Sequence, residues 1–136
     1  MAEKKIKGRK RHIATDTMGN ILYVKVHSAD IHDTISGPDI CYQTFRHYSS
    51  IRAFSADAGY RGTTYDFVTQ DLKMKMDIAL KDPHQFTILK KRWIVERTFA
   101  WFGGSRRLSK DFEVLPRVSE NVIRITMFAL LIKRLF

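Results

Sequence analysis

A single cysteine, Cys41, stands in this chain of 136 residues. It has no partner for an internal disulfide, offers no thiolate set for a zinc site, and fits a reducing, cytoplasmic setting. His12, His27, His32, His47 and His84 include no i, i+4 pair of the helical metal-binding kind. Each reads as a surface or hydrogen-bonding side chain rather than a ligand. Long apolar runs are also missing. The longest, Met127 to Ile132, falls well below the ~20 residues a membrane-spanning helix needs, and no signal peptide precedes the Lys-rich start. There is no internal repeat, low-complexity stretch or linker. What remains is one domain, long enough to bury a core, in which 44% hydrophobic and 12% aromatic residues exclude a disordered basic tail.

Acids are scarce, with 14 Asp and Glu against 24 Lys and Arg, for a net charge of +10. The imbalance points to a polyanionic partner, most often nucleic acid. Its distribution is uneven. Residues 1–13 carry six basic side chains against Glu3, and residues 88–136 carry eleven against four acids. The stretch 14–87 carries seven basic and nine acidic side chains. Both ends are basic and the middle is not, as expected of a DNA-handling surface around an ordinary core.

Hydrophobic periodicity predicts a mixed α/β chain in the order β-β-α-β-α-β-α-α. Arg9–Thr15 and Ile21–His27 read as a hairpin about a turn at Thr17–Asn20. Leu22, Val24 and Val26 form its expected buried face, opposite Tyr23, Lys25 and His27. A helix from Asp33 to about His47 carries Ile35, Ile40, Tyr42 and Phe45 as its apolar set. Ile51–Ala56 reads as a strand ending at Asp57, and Thr63–Leu72 as a helix capped by Thr63 or Thr64. Met74–Leu80 reads as a strand. Ile88 to about Leu108 reads as a long helix with a weak point at Gly103-Gly104. Ser119–Phe136 is the last helix, capped by Ser119.

Two segments carry candidate chemistry. In Trp93-Ile94-Val95-Glu96-Arg97-Thr98-Phe99-Ala100-Trp101 one acid sits among apolar and aromatic residues, next to Arg92 and Arg97. Burying a carboxylate is costly without a cation, a metal or hydrogen bonds. Taken alone, Glu96 reads as a structural ion pair with Arg92 at i, i+4. In Ala56-Asp57-Ala58-Gly59-Tyr60-Arg61-Gly62 an acid ends a strand, where open α/β sheets place functional groups. The glycines permit a tight turn, and Arg61 is available to a phosphate. The plain alternative is a turn that Asp57 caps. Two acids on a strand end and a later helix also form a candidate magnesium pair, since this ion takes few carboxylates plus substrate oxygens. With basic flanks, they point to phosphodiester chemistry.

The ordered motifs Lys7-Gly8-Arg9-Lys10-Arg11-His12-Ile13, Asp57 to Gly62, Arg92 to Trp101 and Arg106-Arg107-Leu108-Ser109-Lys110-Asp111 resemble the carboxy-terminal part of bacterial insertion-sequence transposases of the DDE class, of the insertion-sequence-five kind. The resemblance covers nearly the whole chain. It implies an RNase H-like fold and three acids holding two Mg2+ (or Mn2+) ions, at which water and then a DNA 3′ hydroxyl attack phosphodiesters at the element ends. It makes Asp57 the second acid and Glu96 the third, 39 positions later. It also implies DNA-backbone contacts by Lys7, Arg9, Lys10, Arg11, Arg61, Arg92, Arg97, Arg106, Arg107 and Lys110, which give salt-dependent affinity rather than sequence reading. Trp93, Phe99 and Trp101 read as core. Leu89 and Gly103 stand where related chains often have Tyr and Lys.

The family's first acid lies on a strand upstream of Lys7. Glu3 is too close to the motif to replace it, Asp16 falls in the hairpin turn, and Asp33 reads as a helix cap. The expectation is a partial RNase H-like domain over residues 1–136, without its first, central strand. Such a chain would be inactive alone and complemented by an upstream transposase fragment or by frameshifting, with self-association as a further expected partnership. The alternative is a non-catalytic DNA-binding or regulatory protein derived from a transposase, and a plain structural α/β domain is a third option.

Overall fold

The computed structural model of the chain describes residues 8–79, 92–103 and 115–135, without the side chains of Thr34, Ala79, Arg92, Trp93 and Gly103. Among these residues it is a mixed α/β arrangement of two small sheets and four helices.

The first sheet is the expected hairpin. β1 (Arg9–Thr15) pairs antiparallel with β2 (Ile21–Ser28), Lys10 opposite His27 and Ile13 opposite Val24. Asp16 organises the turn: its carboxylate accepts from the Met18 and Asn20 amides, both at 2.9 Å. Gly19 supplies the left-handed residue at φ 87°. Val24 and Val26 are buried as expected, and Phe102, Ile123 and Met127 join them in one cluster. The opposite face is covered too. His12 and His27 are buried there, beneath α1 (Asp33–His47). The hairpin is therefore enclosed on both faces rather than half solvated, which corrects the expected one-sided pattern.

The apolar set assigned to α1 is also corrected. Ile35 is 70% exposed and Tyr42 is exposed, whereas Ser36, Gly37, Ile40, Cys41 and Thr44 face inward. Close packing against α2 (Thr63–Asp66) selects the small residues. A Cβ on Gly37 would stand 2.0 Å from Thr64 Oγ1. An ion pair of 2.7 Å between Lys25 and Asp39 fixes α1 against β2.

The second sheet is parallel. β3 (Ala53–Asp57) pairs with β4 (Lys75–Ala79), Asp57 opposite Ala79. A 3-10 turn at Ala58–Tyr60, α2, and a wide π-type turn at Phe67–Asp71 connect them. No side chain caps α2. Gly62 precedes it at φ 79° and Thr64 is buried, so neither expected threonine cap forms. Val68 and Met76 pack with Cys41 as the core of this half.

α3 (Arg92–Gly103) packs on the hairpin near its turn, through Thr98 Oγ1 to Gly19 O at 2.8 Å. The expected extensions of this helix, to Ile88 and to Leu108, lie outside the described residues. α4 (Pro116–Leu135) starts three residues earlier than expected, because Pro at the first helical position has no amide to leave unsatisfied. Ser119 is consequently a buried residue of the first turn and not a cap. Glu120 accepts from the Val26 amide at 2.9 Å, which ties α4 to the outer edge of β2. Among the described residues, no helix is long and apolar enough to cross a membrane.

Candidate carboxylate site

Asp57 is the last residue of β3, and its side chain is exposed. Its Oδ1 accepts from the Gly59 amide at 3.0 Å, capping the 3-10 turn. The capping role and the exposed strand-end position thus coexist in one residue. The second oxygen of a capping carboxylate remains open to a cation.

Gly59 leaves space that a side chain would fill. A Cβ there would stand 3.1 Å from Asp33 Oδ2 and 3.2 Å from Asp57 Oδ1. Two carboxylates therefore flank this glycine. The sequence treated Asp33 as a helix cap, but it is the first residue of α1 and turns toward β1. Lys10 Nζ donates to Asp33 Oδ1 at 3.1 Å and to Ile31 O at 3.1 Å. Lys10, expected on DNA, is thereby engaged within the fold, and a phosphate would compete with Asp33 for it.

A second group of polar side chains adjoins the turn. Tyr60 OH is hydrogen-bonded to His12 Nδ1, and His12 Nε2 to His27 Nε2 at 2.6 Å. His27 Nδ1 donates to Ser28 O at 2.7 Å. Burial, followed by the neighbouring His27, depresses the His12 pKa to about 4. Burial first, and then the charges of Asp33 and Asp57, raise that of Tyr60. His12 and Tyr60 lie in the motifs above, but their connection was not legible, because the contacts join positions 48 apart between His12 and Tyr60 and 15 apart between His12 and His27.

Arg61 is exposed beside Asp57, with Nε donating to Ala58 O at 3.2 Å. It lines an open depression of about 430 Å³ together with His32, Ala58 and Gly59. Arg9 and Arg11 lie half-buried on β1.

Glu96 lies on the exposed side of α3. The next residue, Arg97, donates to Met18 O at 2.7 Å and lies 4.9 Å from the Trp101 ring centroid. Arg134 stacks on the same ring at 3.9 Å. Phe99 and Trp101 pack against the hairpin core, as expected. α3 therefore meets the hairpin turn through Arg97 and Thr98, whereas the Asp57 segment meets the middle of β1 through Tyr60 and His12. No group of three or more His, Cys, Asp or Glu able to hold a metal occurs among the described residues. The side chain of Arg92, and Lys7, Arg106, Arg107 and Lys110, lie outside the described residues.

An exposed strand-end carboxylate beside an arginine, in a chain of strong positive charge, presents groups able to meet a cation and a phosphate together. The sequence model of the transposase DDE domain matches residues 2–132, and the chain belongs to that family. No curated protein and no solved structure matches it. Family membership implies an RNase H-like fold, DNA as partner and divalent metal ions as cofactors. The donor chemistry fits such ions in part: Asp57 and Asp33 are hard oxygen donors, and magnesium uses one or two carboxylates plus water and substrate oxygens.

Proposed function

We propose that the chain is a partial catalytic domain of an insertion-sequence transposase, with Asp57 and Glu96 as two of the carboxylates that hold Mg2+ or Mn2+ at a DNA phosphodiester. The observation that carries this is Asp57, exposed at the carboxyl end of β3, capping a glycine turn beside Arg61, in a chain that the family model covers over residues 2–132. Divalent ions in such a site stabilise charge on the attacking and leaving oxygens. The chain's own part is to present Asp57 rigidly, keep the approach open at Gly59, and receive a DNA phosphate on Arg61. The basic residues of both ends hold the DNA backbone.

The hairpin and the parallel pair share no hydrogen-bonded ladder among the described residues. That break fits an RNase H-like sheet whose central strand, and with it the first acid, lies outside these residues. We infer that these 136 residues do not cut DNA alone. Strand cleavage by the purified chain with Mg2+ or Mn2+, abolished by Asp57→Ala, would overturn that inference. Mn2+ bound to the chain and lost in Asp57→Asn is the expected result for the metal site.

A second reading, non-catalytic DNA binding, is favoured by the net charge of +10 together with the lack of any three-residue metal-binding group among the described residues. Salt-dependent DNA binding that survives Glu96→Ala, with no Mn2+ bound, is its signature.

A further inference from the structure

Asp57 is exposed, and its local support is a single hydrogen bond to an amide two residues away, Gly59 N at 3.0 Å. A carboxylate held so locally moves with its turn. What fixes the turn is Tyr60, whose ring packs against the cluster of Cys41, Val68 and Met76 and whose hydroxyl reaches β1. From there the hydrogen bonds continue through two buried rings to the backbone of β2. His12 is 5% exposed and His27 7%.

The proton positions along this chain follow from its end. Ser28 O is a carbonyl and accepts only, so His27 carries hydrogen on Nδ1. In the uncharged ring its Nε2 then accepts. His12 must donate to it from Nε2, at 2.6 Å, which leaves His12 Nδ1 as an acceptor. Tyr60 therefore donates. With both rings uncharged, each buried nitrogen is satisfied in one arrangement, running from Tyr60 to Ser28. The relay ends on the hairpin, which α3 and α4 clamp through Phe102, Ile123 and Met127.

We propose that Tyr60 and His12 are positioning residues for Asp57: the relay couples the turn that bears this carboxylate to the rigid hairpin and so sets where it meets a divalent cation. The proposal rests on the reading of Asp57 as a metal-binding carboxylate. Partners behind metal-binding groups typically contribute about 10- to 100-fold in metal affinity, and Tyr60 belongs at the lower end because it acts through the backbone.

The test uses the full chain and Mn2+ alone, titrated by the electron paramagnetic resonance of the free ion. Tyr60→Phe keeps the ring and removes only the hydroxyl. The expected result is Mn2+ binding weakened about 10-fold, measured well below a thermal midpoint that falls because buried His12 Nδ1 loses its donor. His12→Gln, which retains an acceptor and a donor, is expected to bind more tightly than His12→Leu. Nitrogen-15 spectra of the histidine rings in the unmodified chain are expected to show hydrogen on Nε2 of His12 and on Nδ1 of His27. Hydrogen on His12 Nδ1 overturns the relay, without any variant needing to fold. Native Mn2+ affinity in Tyr60→Phe, where Asp57→Asn abolishes binding, overturns the positioning role. Mn2+ binding unaffected by Asp57→Asn overturns the metal reading of Asp57 instead, and the positioning proposal with it, while the ring spectra still report the relay.

Discussion

At the scale of single residues, the most consequential group is one that charge counting passes over. His12 occupies a basic motif, and of the two readings open to it, surface or hydrogen-bonding, the second holds: it is buried against His27 and Tyr60. Its pKa falls from 6.5 to about 4, chiefly because burial disfavours the imidazolium. The unfolded chain therefore takes up a proton at His12 near pH 6.5 that the folded chain refuses until about pH 4. A group with a depressed folded pKa loses its contribution as pH falls. Stability is thus expected to decline from pH 6.5 toward pH 4, by up to about 3 kcal/mol from this residue. Urea midpoints measured across that range check it. His12→Gln should flatten the dependence, and an equally steep decline in that variant would assign it to other groups.

At the scale of elements, strand and helix positions were legible because their signals are local. Alternation gave β1 and β2, and Asp33 opened α1 where expected. Which face of α1 points inward was not legible. The apolar residues Ile35 and Tyr42 are outside, and small residues are inside, because the contact with α2 is too close for larger ones. Asp57 was legible as a strand-end acid, but its companion Asp33 was not, since a first-turn aspartate carries the same local signature whether it caps or pairs. The Gly37–Thr64 contact leads to a paired prediction. Gly37→Ala should destabilise by about 1–3 kcal/mol through overpacking, since Thr64 is fully buried and cannot swing outward. Thr64 Oγ1 has no hydrogen-bond partner. Thr64→Val should therefore be neutral or stabilising by about 1 kcal/mol, as removal of an unsatisfied buried hydroxyl. Chemical denaturation of the two variants against the parent checks both signs.

At the scale of the whole molecule, the net charge of +10 is divided between cations that the fold consumes and cations that it leaves to a partner. Lys25 is held by Asp39 at 2.7 Å and Lys10 by Asp33 at 3.1 Å. Arg61 donates to the Ala58 carbonyl, is exposed, and stands four residues beyond Asp57 at the open depression. Sequence composition cannot separate these classes, because Lys25 and Arg61 contribute the same unit charge to any count. Counterion release can separate them. Each phosphate neutralised on duplex DNA contributes about −0.9 to the slope of log affinity against log salt. Arg61→Ala should make that slope shallower by about 0.9 and weaken binding alike on unrelated sequences, since phosphate contacts carry no base information. Lys25→Ala should leave the slope unchanged, because its charge is already matched within the fold. Fluorescence anisotropy of labelled duplexes across a salt series reads both. An unchanged slope in Arg61→Ala would place the DNA elsewhere than at the Asp57 turn, and would detach the basic surface from the carboxylates it is proposed to serve.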